Sequence, residues 1–428
     1  MKKTSIPGFI WLVIITILIS AVACACDVST RELQGEQQAQ AISTDDMPLF
    51  QVCVGRKWGY MDKRGRIVIE PQFDFAKGFS EGLAEVKVSG KWGYIDKTGK
   101  IVIEPQFDWG EHFYEGVAKV RVGDLKTGKY GYIDKTGMHV AEPQFDEAGP
   151  FAEGLARVRV GGDGYWGKGK WGYIDKTGKY VLEPQFDYAK GFSEGLAAVR
   201  VGDWETGKYS YIDKTGKYAI EPQFDFGDGF FEGLAAVQVS DKFGYIDRAG
   251  EIVIEPQFDW AEHFSEGLAA VMVGWKWAYI DKTGKYVEEP QFDWANDFSE
   301  GLASVNIGDK YGYIDKTGQY VAEPQFDGAW EFSEGLAMVR VGDKYGYMNT
   351  TGKYIAEPQF DLASDFTEGL ATVEVCGKWG YIDKTGEYIA EPQFDWANGF
   401  SEGLALIGIG GKYGYIDKTG KYVWEPTN

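Results

Sequence analysis

One short phrase, Tyr-Ile-Asp-Lys-Thr-Gly or a close variant, returns eleven times along 428 residues. The aromatic residue two positions before each copy falls at Trp58, Trp92, Tyr130, Trp171, Tyr209, Phe243, Trp277, Tyr311, Tyr345, Trp379 and Tyr413. Successive spacings are 34, 38, 41, 38 and then 34 six times, so the period is 34, with insertions of 4, 7 and 4 residues in three consecutive units. A period of this length overrides any domain count drawn from chain length, because each copy is one supersecondary unit that buries its apolar face only against its neighbours.

The copy beginning at Leu83 sets the expected fold of the unit. Leu83 to Val88 alternates, with Ala84, Val86 and Val88 on one face, which predicts a half-buried strand. Ser89-Gly90 turns into a second strand, Lys91 to Ile95. Asp96-Lys97-Thr98-Gly99 is a hairpin turn: Asp accepts local backbone bonds and Gly supplies the left-handed position. Lys100 to Ile103 is a third strand, ended by Glu104-Pro105 because proline cannot donate to a ladder. A connector follows, from Gln106-Phe107-Asp108 through Phe113 to Glu115-Gly116. The copies also act as a mutation series. The turn glycine is never replaced, the turn Asp becomes Asn349 once, and Gly93 gives way to Ser210 and Ala278. Gly93 therefore marks a close approach of a neighbouring strand or ring and not a left-handed residue. The rings at the Trp92, Phe107 and Phe113 positions are expected between units, each contributing roughly 1.5–3 kcal/mol when fully buried.

The resulting fold class is all-β: three-stranded antiparallel meanders stacked into an open, twisted β-array, with a closed propeller-like ring as the alternative. Eleven units exceed the usual four to eight propeller blades, and both ends of the array finish on incomplete connectors. A disulfide between Cys53 and Cys376 would contradict the open form, because their Cα atoms would have to lie within about 7 Å.

Residues 49–428 form this array; two segments precede it. In residues 1–26, Lys2 and Lys3 lead an apolar stretch from Phe9 to Ala23 and small residues before Cys24 and Cys26. That is the layout of a secretory signal. Ile19 to Cys24 resembles a lipobox, which implies lipidation of Cys24 or Cys26; an uncleaved signal anchor or a secreted chain are the alternatives. All three export the folded part, with membrane contact only through the N-terminus. Residues 27–48 are polar and read as a flexible tether.

The repeat of Lys91-Trp92-Gly93-Tyr94-Ile95-Asp96 with Glu-Pro-Gln-Phe-Asp and Glu-Gly-Leu-Ala resembles the bacterial WG-repeat (KWG) proteins from Leu49 to Pro426. The resemblance implies a β-rich tandem array and brings no catalytic residue with it.

Catalytic chemistry has no foothold in the residue inventory. There are three histidines, and His112 and His263 occupy the same connector position in distant units. No cysteine pair has zinc spacing, no glycine-rich loop joins a strand to a helix, and no serine sits in a nucleophile elbow. One carboxylate per turn falls short of the six to eight oxygens calcium takes. Carboxylates such as Glu104 and Asp108 recur too often to be one active-site pair, so the expectation is a non-enzyme with no cofactor or metal. The net charge of −21, with basic residues dispersed singly among acidic ones, excludes a nucleic-acid partner.

Two functions remain. One is an interaction scaffold for a protein or peptide at the cell envelope; the other is a binder of cell-envelope polysaccharide. For the second, the residue after Gln-Phe-Asp is aromatic at Phe75, Trp109, Tyr188, Phe226, Trp260, Trp294 and Trp396, but Glu147, Gly328 and Leu362 elsewhere. For the first, the three insertions all fall at the tip between the first and second strands and carry Leu125, Tyr165, Trp166 and Trp204. The four-residue insertions, being even, are expected to lengthen both strands without exchanging their faces. Exposed rings in otherwise polar tips mark a candidate ligand-binding edge.

Overall fold

The computed structural model describes residues 47–162, 169–203 and 205–426. The first two units contain β1 (Leu49–Val54), β2 (Lys57–Asp62), β3 (Ile67–Phe73), β4 (Phe75–Ser80), β5 (Leu83–Val88), β6 (Lys91–Asp96) and β7 (Ile101–Phe107). No helix occurs among the described residues. The strands form eleven antiparallel sheets, here called blades 1 to 11 in chain order: blade 1 is β1-β2-β3, and blade 2 is β4-β5-β6-β7.

The turn chemistry is as expected. The Asp96 carboxylate accepts from Thr98 N at 2.9 Å, Thr98 Oγ1 at 2.6 Å and Lys100 N at 3.1 Å. Asn349 accepts the same three bonds. The eleven turn glycines have φ between 76° and 86°. Gly93 has an ordinary φ, and a Cβ there would stand 2.5 Å from Ile103 O and 2.7 Å from Pro105 N.

That close approach exposes two corrections. The third strand does not end at Glu104-Pro105. It continues to Phe107, and Glu104-Pro105-Gln106 bulge past Gly93, so that Trp92 faces Phe107 while Tyr94 faces Ile103. Proline is tolerated because β7 is an edge strand with no further ladder to serve. Nor is the sheet three-stranded outside blade 1. The connector supplies a fourth strand, with Phe75 opposite Lys87 and Ala76 opposite Val86; in most blades only its first two residues form the strand. The hairpin joining β4 to β5 turns on Glu81 and Gly82, both left-handed at φ 50° and 89°. Ten glutamates share this conformation, with φ from 50° to 55°.

Nine of those glutamates reach the next blade. Glu81 Oε2 accepts from Gly116 N and from Lys135 Nζ, each at 3.0 Å, and both donors belong to blade 3. The apolar core likewise lies between sheets. Leu83, Tyr94, Ile103 and Phe107 of blade 2 pack with Phe113, Ala118, Val120 and Ile133 of blade 3. Strand β5 is therefore not half-buried as its alternation predicts; Leu83 to Val86 are buried on both faces. Burial at the Phe107 and Phe113 positions matches expectation, but the Trp92 position is fully buried only at Trp171, Tyr209, Phe243 and Trp277. The deepest ring is instead the tyrosine two residues on. From Tyr60 to Tyr381 its ten copies are less than 2% exposed, and the hydroxyl donates to a carbonyl of the next blade, as Tyr279 does to Asn296 O at 2.5 Å.

The array is closed, which corrects the open form. Tyr415, in the last blade, donates to Gln51 O of the first at 2.8 Å. Val52 and Met61 share a core with Leu404 and Tyr415. Elsewhere a buried connector phenylalanine meets the tyrosine edge-on, as Phe113 meets Tyr94 at 5.0 Å; at the seam Phe50 meets Tyr415 at 5.9 Å. Phe50 stands where the ten other units have Ala, so one enlarged side chain supplies the ring that no connector brings. Among the described residues there is no disulfide, and closure rests on this packing. The molecule is an eleven-bladed, propeller-like ring.

Candidate functional site

Two features of the ring face solvent with unusual chemistry: the strand tips and a band of half-buried rings.

The tips are anchored from the preceding blade junction. Asp108 accepts from Lys91 Nζ at 2.6 Å and from Gly123 N at 2.8 Å, so one carboxylate ties blade 2 to the tip of blade 3. The same clip occurs at ten junctions. At Asp259 the bond from Lys242, followed by that from Gly274 N, holds the carboxyl below its ordinary range. A depressed folded value stabilises the ring above the unfolded value of about 3.9 and is lost as pH falls through the folded value. Thermal scans between pH 7 and pH 2 are expected to show a fall in melting temperature confined to the region below about pH 4. A melting temperature independent of pH there would remove the clips from the account.

The four-residue insertions do not lengthen their strands. The ladder of blade 3 ends at Val122 opposite Lys129, as that of blade 2 ends at Val88 opposite Lys91. The added residues form a loop closed by Asp124, which accepts from Lys126 N, Thr127 N and Thr127 Oγ1. Asp203 does the same in blade 5. Local capping by Asp outcompetes extension of a twisted hairpin. Leu125 is 86% exposed on the first of these loops. Tyr165, Trp166 and Trp204, like Cys24 and Cys26, lie outside the described residues. A further tip residue escaped the sequence reading. Trp275, at the two-residue tip of blade 7, is 77% exposed and left-handed at φ 68°. Its signal was available, since the corresponding residues in other short tips are Gly, Asp or Arg.

The residues after Gln-Phe-Asp are neither core nor a free row. Phe75, Trp260 and Trp396 are 40%, 42% and 39% exposed. Each also leans on the second-strand rings: Phe75 lies 5.2 Å from Trp58 and 5.8 Å from Trp92. In blades 2 to 6 the band carries cations from the protein itself. Lys77 lies 5.0 Å over Trp92, Lys119 5.6 Å over Tyr130, Arg157 5.0 Å over Trp171 and Lys190 5.0 Å over Phe226.

The band breaks between blades 8 and 9. Gly328 removes the ring of the usual position, and Trp330 brings one two residues later, 5.5 Å from Tyr345. A cavity of about 500 Å³ opens there, walled by Tyr311, Trp330 and Tyr345 and by Glu331, Arg340 and Asp365. No group of three metal-ligating side chains exists among the described residues.

Ten consecutive segments match the family described as "WG containing repeat": residues 58–92, 92–125, 130–166, 171–203, 209–243, 243–277, 277–311, 311–345, 345–379 and 379–413. The chain belongs to the WG-repeat family. Seven of these segments run from one second-strand aromatic to the next, and each WG repeat joins two strands of one blade to two of the following one. No curated protein matches the sequence. Among solved structures it is similar to the tricorn protease (12% identity, 80% of this chain, 43% of that one, TM-score 0.22). It is also similar to the extracellular domain of a hybrid two-component system of B. thetaiotaomicron (10%, 91%, 66%, TM-score 0.23). A third is Kluyveromyces lactis Hsv2 (8%, 50%, 86%, TM-score 0.27). The WG-repeat chain thus spans less than half of the tricorn protease and about two thirds of the extracellular domain. At these scores the likenesses have no bearing on function.

Proposed function

We propose that this WG-repeat ring is a non-catalytic binding scaffold, held outside the cytoplasm by its N-terminal segment, and that it docks a protein or peptide on the face bearing the strand tips. The observation that supports this most is Trp275. A bulky residue in the left-handed region costs of order 1 kcal/mol, and an exposed indole invites aggregation unless covered. Gly at that place would avoid both penalties and Asp would lessen them, and six other short tips carry one or the other. Leu125 adds a second exposed apolar group on the same face. The clips at Asp108 and its equivalents support the reading too, because they hold the tips rigid and lower the entropy lost on binding. The test is a photo-crosslinking residue at position 275 in the native cell, with one at Val253, away from the tip of the neighbouring blade 6, as control. Protein adducts at 275 and not at 253 are expected; adducts at both, or at neither, would refute tip-face docking.

The half-exposed rings Phe75, Trp260 and Trp396 favour a second reading, stacking on polysaccharide. Retention on purified cell-envelope polysaccharide, lost in a Trp260→Ala, Trp396→Ala double variant, would replace the first reading by this one.

A further inference from the structure

We propose that the cavity between blades 8 and 9 takes an alkylammonium group, the side chain of a lysine on the bound polypeptide, which deepens the protein-partner reading above. The molecule's own lysines are the template. Lys77 and Lys119 lie over second-strand rings and donate to carbonyls of the next blade, Gly110 O at 3.0 Å and Ala148 O at 3.1 Å. Arg157 repeats the arrangement on Trp171 with Ala189 O at 2.6 Å. Blade 8 has no such cation. The residues corresponding to Lys77 and Lys119 are Asn296 and Ser304, and these bond to each other at 2.7 Å. Tyr311 is left without a cation over it, and Ala329, which corresponds to Ala148, lines the cavity.

Charge points the same way. Among the described residues neither Glu331 nor Asp365 pairs with a basic side chain, and both border the cavity. Asp327 is already engaged by Lys310 Nζ at 2.5 Å and Gly342 N at 2.7 Å. Arg340 is turned to backbone, donating to Asp327 O at 2.9 Å and Gly342 O at 3.4 Å. Even counting Arg340, the walls keep one negative charge in excess. Three rings and two uncompensated carboxylates suit a cation, since ring faces and carboxylates attract the same sign. A lysine side chain, long and slender, fits an open cavity of about 500 Å³ and reaches its base from a polypeptide lying across the mouth.

The experiment titrates the full chain with Nα-acetyl-lysine-N-methylamide and with its Nε-acetylated counterpart, reading binding by ligand-detected NMR. Saturable binding of the charged probe at roughly millimolar concentration is expected, with the Nε-acetylated probe and the Glu331→Gln, Asp365→Asn double variant each weaker by about tenfold or more. Both substitutions are at exposed carboxylates, and an unchanged melting temperature verifies the fold. A second variant, Gly328→Trp, restores the ring that other blades carry and is expected to abolish binding. No saturation by 10-fold above that range, equal affinity for the uncharged probe, or an unaffected double variant would each overturn the assignment. Such a result would leave tip-face docking standing if position 275 still crosslinks to protein.

Discussion

Tyr279→Ala is expected to destabilise the ring by about 3–5 kcal/mol, the cost of truncating a buried aromatic and leaving a cavity. Tyr279 is 1% exposed, lies 5.0 Å from Phe298 of the next blade, and donates to Asn296 O. Tyr279→Phe keeps the ring and removes only the hydroxyl, so about 1–3 kcal/mol should remain as the cost of a buried carbonyl without its donor. Urea unfolding gives both values, and hydrogen exchange locates them. The loss of protection should centre on blades 7 and 8, because each blade contacts only its neighbours. A Phe variant as stable as the parent would show that the hydroxyl contributes nothing. Loss spread evenly over all eleven blades would show that the ring unfolds only as a whole.

Phe50→Ala is expected to open the ring at its seam. Phe50 brings to Tyr415 the edge-on contact that connector phenylalanines make at other junctions, and its truncation removes roughly 2–3 kcal/mol of partly buried aromatic surface. The seam has little to set against that loss. The clip from a Gln-Phe-Asp carboxylate recurs at the ten other junctions, and Pro48, with no N–H to donate, stands where other units have the glycine that bonds the preceding blade's glutamate. Hydrogen exchange in β1 and in blade 11 should rise by more than a factor of ten, while blades 5 and 6 keep their protection. Small-angle scattering should then report a longer maximum dimension. Unchanged dimensions together with unchanged exchange at the seam would mean that closure does not depend on Phe50.

Eleven internal copies made much of the unit legible without any structure. An Asp that yields only to Asn is a hydrogen-bond acceptor in a turn, and Asp96 and Asn349 bear this out. A glycine with no replacement is left-handed. The same comparison held a signal that went unused: the aromatic at the Trp92 position varies among Trp, Tyr and Phe, but the next ring is Tyr in all eleven copies. A site that never accepts Phe is one where the hydroxyl is employed. Gly328 and Trp330 were visible likewise as breaks in a pattern, yet the pattern alone did not say that they pack together in the wall of a cavity.

The sequence by itself determined the period, the hairpins and the buried rings of the Phe107 and Phe113 type, because these depend on local backbone preference and on contacts repeated from junction to junction. Only the tertiary structure decided the fourth strand, the looped form of the longer tips and the closure. The connector lacks a period-2 pattern, so its pairing with β5 is set by where the preceding blade leaves the chain. Closure depends on an inter-blade rotation summed over eleven junctions, and no local pattern encodes that sum. What converts it into a ring is a match between two ends 364 residues apart, where Tyr415 meets Gln51 and Phe50. A contact made once leaves no repeat to read; only its departure from the repeat, Phe where ten copies have Ala, marks it in the chain.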